Sequence, residues 1–303
     1  MKRILYLIFL LSILISCEKE VHIPIEFTKS KLVVNALFNT DSLWNIEISA
    51  SKYIYDTTEI PLINNAQVTV TNSKNNNIVL TNQGNGIYTS LTEKPEIGEL
   101  YTLEVSHNDY ENVSASNQLP GGIAIQNIGW GQQEFLNGEL YRKINLTFQD
   151  NPEKEYYLIR VSGTFWEKKK DSITGKIDSI LVRHPMDFVS QNASVTDLNS
   201  KMDYNSISFT DDLFNGNNYT FDILLSDYYF TGVYGKEDIV QTIYISLSRI
   251  SKEYYWYETS YQAYLNSNEG KFFSQPVQVY TNIENGLGIF AGFSTTIDTI
   301  NIK

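Results

Sequence analysis

From about residue 30 onwards, the chain is built from short runs in which apolar and polar residues alternate. In LWNIEISA (43–50) every second residue is apolar, which places one face of a strand in the interior and the other in water. Clusters such as NTDS and SKNNN separate the runs, as turn residues do between strands. Seven runs within residues 30–118, with no helical pattern between them, predict an immunoglobulin-like β-sandwich. The alternative is an open β-sheet packed on the second half of the chain.

The turn-rich segment QLPGG (118–122) is the best candidate for a domain boundary. Longer alternating runs follow it, including ELYRKINLTFQD (139–150) and EYYLIRVSGTFWE (155–167). The polar stretch KKKDSITGKIDS (168–179) is typical of an exposed loop or of the tip of an extended hairpin. Residues 119–303 are therefore predicted to form a second, antiparallel β domain, which makes the whole protein mainly β.

One segment of the second domain has the period of a helix. SRISKEYYWYETSYQAYLNS (248–267) contains no Gly or Pro, and its apolar residues fall on one stripe at a spacing of 3.6 residues. The pattern predicts one amphipathic helix over about residues 249–266. Its stripe, which includes Tyr254 and Tyr264, is expected to pack on the core. QPVQVYTNI (275–283) then predicts a return to strands.

The N-terminus has the pattern of an exported protein. Lys2 and Arg3 precede an almost unbroken apolar run over residues 4–15, which is the length of a signal-peptide core and too short to span a bilayer. The run ends in LISC, which resembles a bacterial lipobox. Residues 1–16 are thus predicted to be a lipoprotein signal peptide, with Cys17 becoming lipidated and anchoring the chain to a membrane. The alternative is a plain cleaved signal or a short anchor in which Cys17 is incidental.

Residues 17–29 are predicted to form the lipidated tether. Glu18, Lys19 and Glu20 resemble the surface-export signal of Bacteroidota lipoproteins, although any solvated tether would also be polar. The predicted location is the outer membrane, on the cell surface, with the periplasmic face as the alternative. Cys17 is the only cysteine, so an exported chain cannot form an internal disulfide.

The net charge of the chain limits the kinds of molecule that it can bind. The chain carries 23 basic and 35 acidic residues, for a net charge of −12. A nucleic-acid partner is excluded because it would require a basic stripe. The acidic residues are spread along the chain, which serves solubility.

Candidate chemistry is sparse. The three histidines, His22, His107 and His184, show none of the spacings of zinc sites, and the sequence contains no nucleophile elbow or phosphate-binding loop. We therefore expect no enzymatic activity, no catalytic residues, no cofactor and no metal site. A triad that assembles only in space stays open as an alternative.

Asp211 and Asp212 are the most suggestive pair of carboxylates. Neighbours on an extended strand point to opposite faces, so turn chemistry before Asn215 and Gly216 is the favoured interpretation. An acidic-residue hydrolase, and a calcium site that also uses Asn215 and Asn217, are the alternatives.

Aromatic side chains are the remaining candidates for ligand contacts. Trp130 and Trp166 lie near predicted strand ends, and Tyr255 and Trp256 lie on the flanks of the predicted helix. Exposed aromatic faces can stack on sugars or contact protein partners. The alternative for all four is a structural role.

Several segments together resemble one known family. They are SCEKEV, KLVVNALF, NNAQVTV, GNGIYTS, FQDNPEKEYY, DDLFNGNNYTFDI and FSQPVQVYTNIENGLGIFAGFS. They resemble the Bacteroidota lipoprotein family known as domain of unknown function 4249 (DUF4249), and the last segment is the most specific. Gln275 departs from the pattern, because an acidic residue commonly precedes that proline. The resemblance covers nearly all of the mature chain.

The resemblance implies a location and a role. Members are surface or outer-membrane lipoproteins, often encoded beside TonB-dependent receptors, and they have no established catalytic residues. We therefore expect a non-enzymatic, surface-exposed lipoprotein that assists such a receptor in nutrient uptake. One alternative is an adhesion module that binds glycans or proteins independently of transport, and another is the acidic-residue hydrolase.

Overall fold

The computed structural model describes residues 29–53, 55–170, 172, 175–195, 206–232, 239–268 and 277–302. The predicted signal peptide, Cys17 and the export signal at residues 18–20 lie outside these residues. Among the described residues, no helix combines the length and the apolarity that crossing a membrane would require.

The described chain forms strands and two helices. The first strands are β1 (Leu32–Phe38), β2 (Asn45–Ala50), β3 (Gln67–Asn72), β4 (Asn77–Val79), β5 (Thr81–Gly84), β6 (Ile87–Thr89), β7 (Leu100–Ser106) and β8 (Val113–Gln118). They are followed by β9 (Ile125–Trp130), β10 (Glu134–Leu136), β11 (Glu139–Gln149), β12 (Tyr156–Lys170), β13 (Ile177–Pro185), β14 (Ser206–Thr210) and β15 (Asn218–Ser226). The last elements are α1 (Tyr228–Thr231), β16 (Thr242–Ile250), α2 (Lys252–Asn268) and β17 (Leu287–Asn301).

The strands form three sheets. The largest has the order β13-β12-β16-β17-β1-β2-β6-β5, with β14 also paired to β12. The second joins β10, β11 and β15, with β9 also paired to β11, and the third has the order β4-β3-β7-β8. Only the β1–β17 pair among the described strands is parallel. The prediction of a mainly β protein with antiparallel sheets is therefore confirmed.

The first part of the chain is a sandwich of two sheets. Strands β1, β2 and β6 face β3, β7 and β8 across one hydrophobic core. Trp44 is fully buried at its centre, with its ring 4.8 Å from the rings of Phe38 and Tyr101. Phe290 of β17 packs in the same core. The sandwich is thus completed by a strand from the far end of the chain.

A second core lies between the large sheet and the β9–β11–β15 sheet. It is formed mainly by side chains of β11, β12, β14, β15 and β16. Strand β17 links the two cores because its first half pairs with β1 and its second half with β16. Residues 119–124, between β8 and β9, form no strand or helix; Leu119 packs in the first core and Ile123 in the second. The domain boundaries themselves stay a prediction.

The helix differs from its prediction in two respects. It begins at Lys252 rather than near residue 249, because residues 248–250 are the last residues of β16. Tyr254 is buried, but Tyr261 and Tyr264 are 39 and 40% exposed. The expectation that the whole apolar stripe packs on the core is therefore wrong, since Tyr254 is buried in a third hydrophobic cluster whereas Tyr261 and Tyr264 are not part of it.

The strand predicted over 275–283 is also wrong for its described part, since residues 277–283 form none. The side chain of Asn282, and not its backbone, makes the hydrogen bonds to the neighbouring strand β17. It donates to the carbonyl of Phe290 at 2.8 Å and accepts from the amide of Phe290 at 3.0 Å. Residues 168–170 and 177–179 of the polar stretch pair at the outer end of the β12–β13 hairpin, which agrees with the hairpin that was one of the two predicted forms.

Candidate functional site

A cleft of about 610 Å³ opens where the sandwich meets the second part of the chain. We call it the junction cleft. Its walls come from the end of β8 and the crossing that follows, from the β11–β12 connection, and from the β16–α2 corner. They comprise residues 98, 117–121, 151, 153–156 and 249–253.

Asn117 holds the two sides of the junction cleft together. Its side-chain oxygen accepts the amide of Gly292 at 2.8 Å, and its side-chain nitrogen donates to Glu253 Oε2 at 2.7 Å. Ser251 turns the chain from β16 into α2: its amide donates to the carbonyl of Gly292, and its hydroxyl accepts the amide of Tyr254 at 3.3 Å. This serine is the N-cap that helix starts favour. The cleft is thus fixed between strand β8 and the first turn of α2.

A buried ion pair forms the floor of the cleft. Arg249 is 8% exposed, and its Nε lies 2.8 Å from Glu155 Oε2, although the N–H bond does not point along this contact. A terminal nitrogen of Arg249 donates to the carbonyl of Gly121 at 3.5 Å. Burial raises the pKa of Glu155, and the hydroxyl of Tyr157 and the charge of Arg249 oppose that rise. Removing one member would leave the other charge buried and unpaired.

Behind the floor, two carboxylates share one hydroxyl. The Tyr157 Oη lies 2.6 Å from Glu155 Oε2 and also contacts Asp150 Oδ1. A phenol has a single proton, so it donates to only one carboxylate at a time. Burial, and then hydrogen bonding to these carboxylates, raises the pKa of Tyr157. Asp150 Oδ2 accepts the amide of Gly216 at 2.8 Å, and Glu155 Oε1 accepts from Asn151 at 3.3 Å. Each carboxylate oxygen therefore already has a partner.

Asp211 and Asp212 lie in a turn after the end of β14 and not on an extended strand, so the expectation that their side chains point to opposite faces is wrong: both carboxylates contact Lys154 Nζ. Their environments differ nonetheless. Asp211 is fully buried; it accepts Lys154 Nζ at 2.7 Å and the amide of Glu155 at 2.7 Å. Asp212 is exposed, and its hydrogen bond from Lys154 lowers its pKa. Burial lowers the pKa of Lys154, but the hydrogen bonds to both aspartates outweigh this and raise it.

These contacts decide what Asp211 does. Its carboxylate is used to hold Lys154 and the start of β12, and its backbone carbonyl accepts the amides of Phe214 and Asn215. The predicted turn before Gly216 is present, with Gly216 in the left-handed region at φ +75°, but the Asp211 side chain takes no part in its hydrogen bonds. An ammonium group occupies the oxygen that a calcium ion would need, so the calcium alternative does not fit this arrangement.

The four aromatic candidates do not come together. Trp130 lies in β9, with its ring 5.7 Å from that of Phe230, and Trp166 lies on the β12–β13 hairpin opposite Leu181. Both are more than two-fifths exposed. Neither residue lines the junction cleft, so Trp130 and Trp166 are separate surface features.

Tyr255 and Trp256 lie on α2 beside the junction cleft. The Tyr255 ring is 5.1 Å from the ring of Tyr156, and Lys252 Nζ stands 4.3 Å from the centre of the Trp256 ring. Tyr156 and Lys252 both line the cleft, so these aromatics support its wall from behind. Whether any of the four aromatics contacts a ligand stays a prediction.

Sequence reasoning missed the charged residues of the cleft. Arg249 is the one charged residue of the strand TIYISLSRI, and a charge in a strand that is otherwise mostly apolar requires a partner when it is buried. That signal could have marked Arg249. It could not have identified Glu155, which is 94 positions away in the sequence.

The chain matches a known protein family over most of its length. A family model described as a domain of unknown function (DUF4249) matches residues 18–298. The match covers both cores, the junction cleft and the β12–β13 hairpin. No curated protein matches the chain.

Proposed function

This chain belongs to the DUF4249 family, and from that premise we propose that it is a non-enzymatic, lipid-anchored binding protein of the outer membrane. It faces the cell surface and acts as an accessory to a TonB-dependent receptor in nutrient uptake. Two features support its location: the lipobox-like LISC ending at Cys17, and the mixed-charge residues that follow it. Several acyl chains on that cysteine would give stable anchoring, which a single chain does not.

The junction cleft is the single observation that carries the binding role. It is wide enough for a small ligand or for a loop of a partner protein. Besides the buried Arg249–Glu155 pair, its side chains offer both charges, with Lys154 and Lys252 on one hand and Glu153 and Glu253 on the other. A balanced set of this kind suits a polar partner that carries donors and acceptors of its own.

Co-purification tests the accessory role. The protein is extracted from its native membrane in mild detergent, captured by a tag at its C-terminus, and its partners are identified by mass spectrometry. The expected partner is a TonB-dependent receptor in near-stoichiometric amount. Recovery of the lipoprotein without any receptor would contradict the proposal.

A charge exchange tests the junction cleft itself. Replacing Glu153 by Lys together with Lys252 by Glu inverts two exposed cleft residues without changing the net charge. The matched control exchanges Glu47 and Lys74, two exposed residues of the sandwich outside the cleft. We expect the cleft variant to lose most of the receptor while the control keeps it, at equal thermal stability. Equal recovery with both variants would remove the cleft from the binding role.

One observation favours glycan binding as a second candidate. The rings of Tyr257, Tyr261 and Tyr264 on α2 lie nearly parallel, with centroids 6.1 and 6.5 Å apart, and the last two are partly exposed. Flat rings in a row can stack on successive sugars. A glycan array probed with the wild type and with Tyr261→Ala distinguishes this candidate. Glycan binding that is lost in the variant, with no receptor recovered, would favour adhesion.

The carboxylates near the cleft do not favour a hydrolase. General acid–base work needs carboxylates that can reach a substrate. Asp150 lies behind the floor of the cleft, and the oxygens of Glu155 are engaged by Asn151, Tyr157 and Arg249. These contacts instead fix the β11–β12 connection.

A further inference from the structure

The β12–β13 hairpin extends beyond the rest of the large sheet. Strand β16 covers β12 only as far as Thr164, whereas β12 and β13 continue to pair out to Lys170 and Ile177. Most residues of this outer part are exposed on both faces of the hairpin. It is therefore an arm and not part of a packed layer.

One face of the arm combines apolar and basic residues. Trp166 stands directly opposite Leu181, and two positions towards the tip Lys168 stands opposite Ser179. Residues two apart on a strand share a face, so Lys170 and Ile177 lie on the same side. Trp166 is 41% exposed, and Leu181 and Ile177 are 50 and 60% exposed. Exposed apolar side chains in such a group mark interaction surfaces.

The charge of the arm is opposite to that of the whole protein. Residues 168–170 are three consecutive lysines and Lys176 follows across the turn, in a chain with a net charge of −12. Within residues 166–185 the sequence holds four lysines and Arg183 against Glu167, Asp171 and Asp178. Glu167 lies 2.5 Å from His184, and Asp178 lies 2.8 Å from Lys176. A local excess of positive charge remains.

The outer side of β13 is a free edge of the large sheet. Among the described strands, β13 pairs only with β12, so the other side of its nine residues offers backbone donors and acceptors. Such an edge is a template for an added strand. Pro185 stands only at its inner end.

We propose that the β13 edge binds an extended peptide segment of a partner protein, rich in acidic and apolar residues, which adds to the sheet as a further strand. Backbone hydrogen bonds provide the affinity, Trp166 and Leu181 contact alternate apolar side chains, and the lysines select acidic ones. The free edge favours a peptide over a lipid surface, which has no backbone to pair with it.

The direction of the strands also favours a partner remote from the anchor. Strand β12 runs in the same direction as β1. Strand β1 is parallel to β17, and β12 is antiparallel to β16, which is itself antiparallel to β17. The tip therefore points away from the start of β1. The distance along the strands from the start of β17 to the tip is about 65 Å. It consists of 14 residue steps from Leu287 to Asn301 and six more from Thr164, which is level with Asn301, to Lys170. A fully extended tether from Cys17 to Leu32 reaches about 50–54 Å, which is shorter than that span.

A defined peptide tests the proposal on the purified full-length protein in detergent. The probe is a fluorescent ten-residue peptide in which Val and Glu alternate along one face of the strand and Thr occupies the other face, and the comparison peptide has Lys in place of each Glu. We expect saturable binding of the acidic peptide, followed by fluorescence anisotropy, and slowed amide hydrogen exchange in residues 177–185. Replacing both Lys168 and Lys170, which share a face with Trp166, by Glu should weaken it about tenfold at low salt.

Two controls make each outcome decisive. The matched variant exchanges Glu47 and Lys74 on the sandwich and should bind as the wild type does. Equal affinity for both peptides, unchanged affinity in the lysine variant, or protection outside residues 177–185 would each overturn the proposal. So would binding of anionic phosphatidylglycerol vesicles through the arm without peptide binding. The test does not involve a receptor or the junction cleft, so its result is independent of the proposed function.

Discussion

Replacing Asp211 by Ala should destabilise the protein far more than the same change at its neighbour Asp212. Asp211 is fully buried and accepts the amide of Glu155 and the ammonium of Lys154, both at 2.7 Å. Without it, the Glu155 amide loses a charged acceptor, which costs roughly 1.5–3 kcal/mol. The Lys154 side chain is 41% exposed, so solvent reduces that pair to about 0.5 kcal/mol. We expect the free energy of unfolding to fall by about 2–3.5 kcal/mol.

Asp212→Ala is the matched control, because it removes the same chemical group from the adjacent position. Asp212 also contacts Lys154, but its side chain is 68% exposed, and the expected loss is below about 1 kcal/mol. Asp211→Asn, which keeps an acceptor for the Glu155 amide, should lie between the two. Urea unfolding followed by tryptophan fluorescence gives all three values by linear extrapolation. Equal losses at the two aspartates would show that Asp211 does not hold the wall of the junction cleft.

One further prediction concerns Glu258 on α2, and another concerns Gly288, where β17 pairs with β1. Burial raises the pKa of Glu258, and the charge of Arg160 only partly opposes this rise. The protonated Glu258 side chain therefore stabilises the fold fully below the ordinary glutamate pKa of about 4.3, and this stabilisation is lost as the pH rises through the raised pKa. Glu258→Gln should therefore gain stability relative to the wild type between pH 4 and 8 in urea titrations, and a constant difference would contradict this. At Gly288, where φ is +103°, a Cβ would stand 2.0 Å from the Val34 carbonyl oxygen. Gly288→Ala should cost more than about 2 kcal/mol in the same assay, whereas Gly129→Ala, which has open space around it, should cost under about 1 kcal/mol.

The strands of the sandwich could be predicted because their signal is local. The alternation in residues 43–50 correctly placed Trp44, Ile46 and Ile48 in the core. The pairing of β1 with β17 could not be predicted in this way. Alternation shows which face of a strand is buried, but it does not identify a partner some 250 residues away.

The helix and the cleft show the same limit. The period of α2 correctly indicated a helix and buried Tyr254, but periodicity does not show how far the neighbouring strands reach, so the exposure of Tyr261 and Tyr264 was missed. The junction cleft depends on Arg249 meeting Glu155, and each comes from a different strand end. Its components are visible in the sequence only as isolated charges.

The intact mass of the mature protein, purified from the native membrane, tests most directly the claim on which the proposed function depends. The account predicts a chain that begins at Cys17 and carries a diacylglycerol and a further acyl chain on its first residue. It also predicts that Cys17→Ser abolishes both the added mass and the membrane association. A membrane-bound protein that retains residues 1–16, or whose Cys17 carries no lipid, would contradict the account.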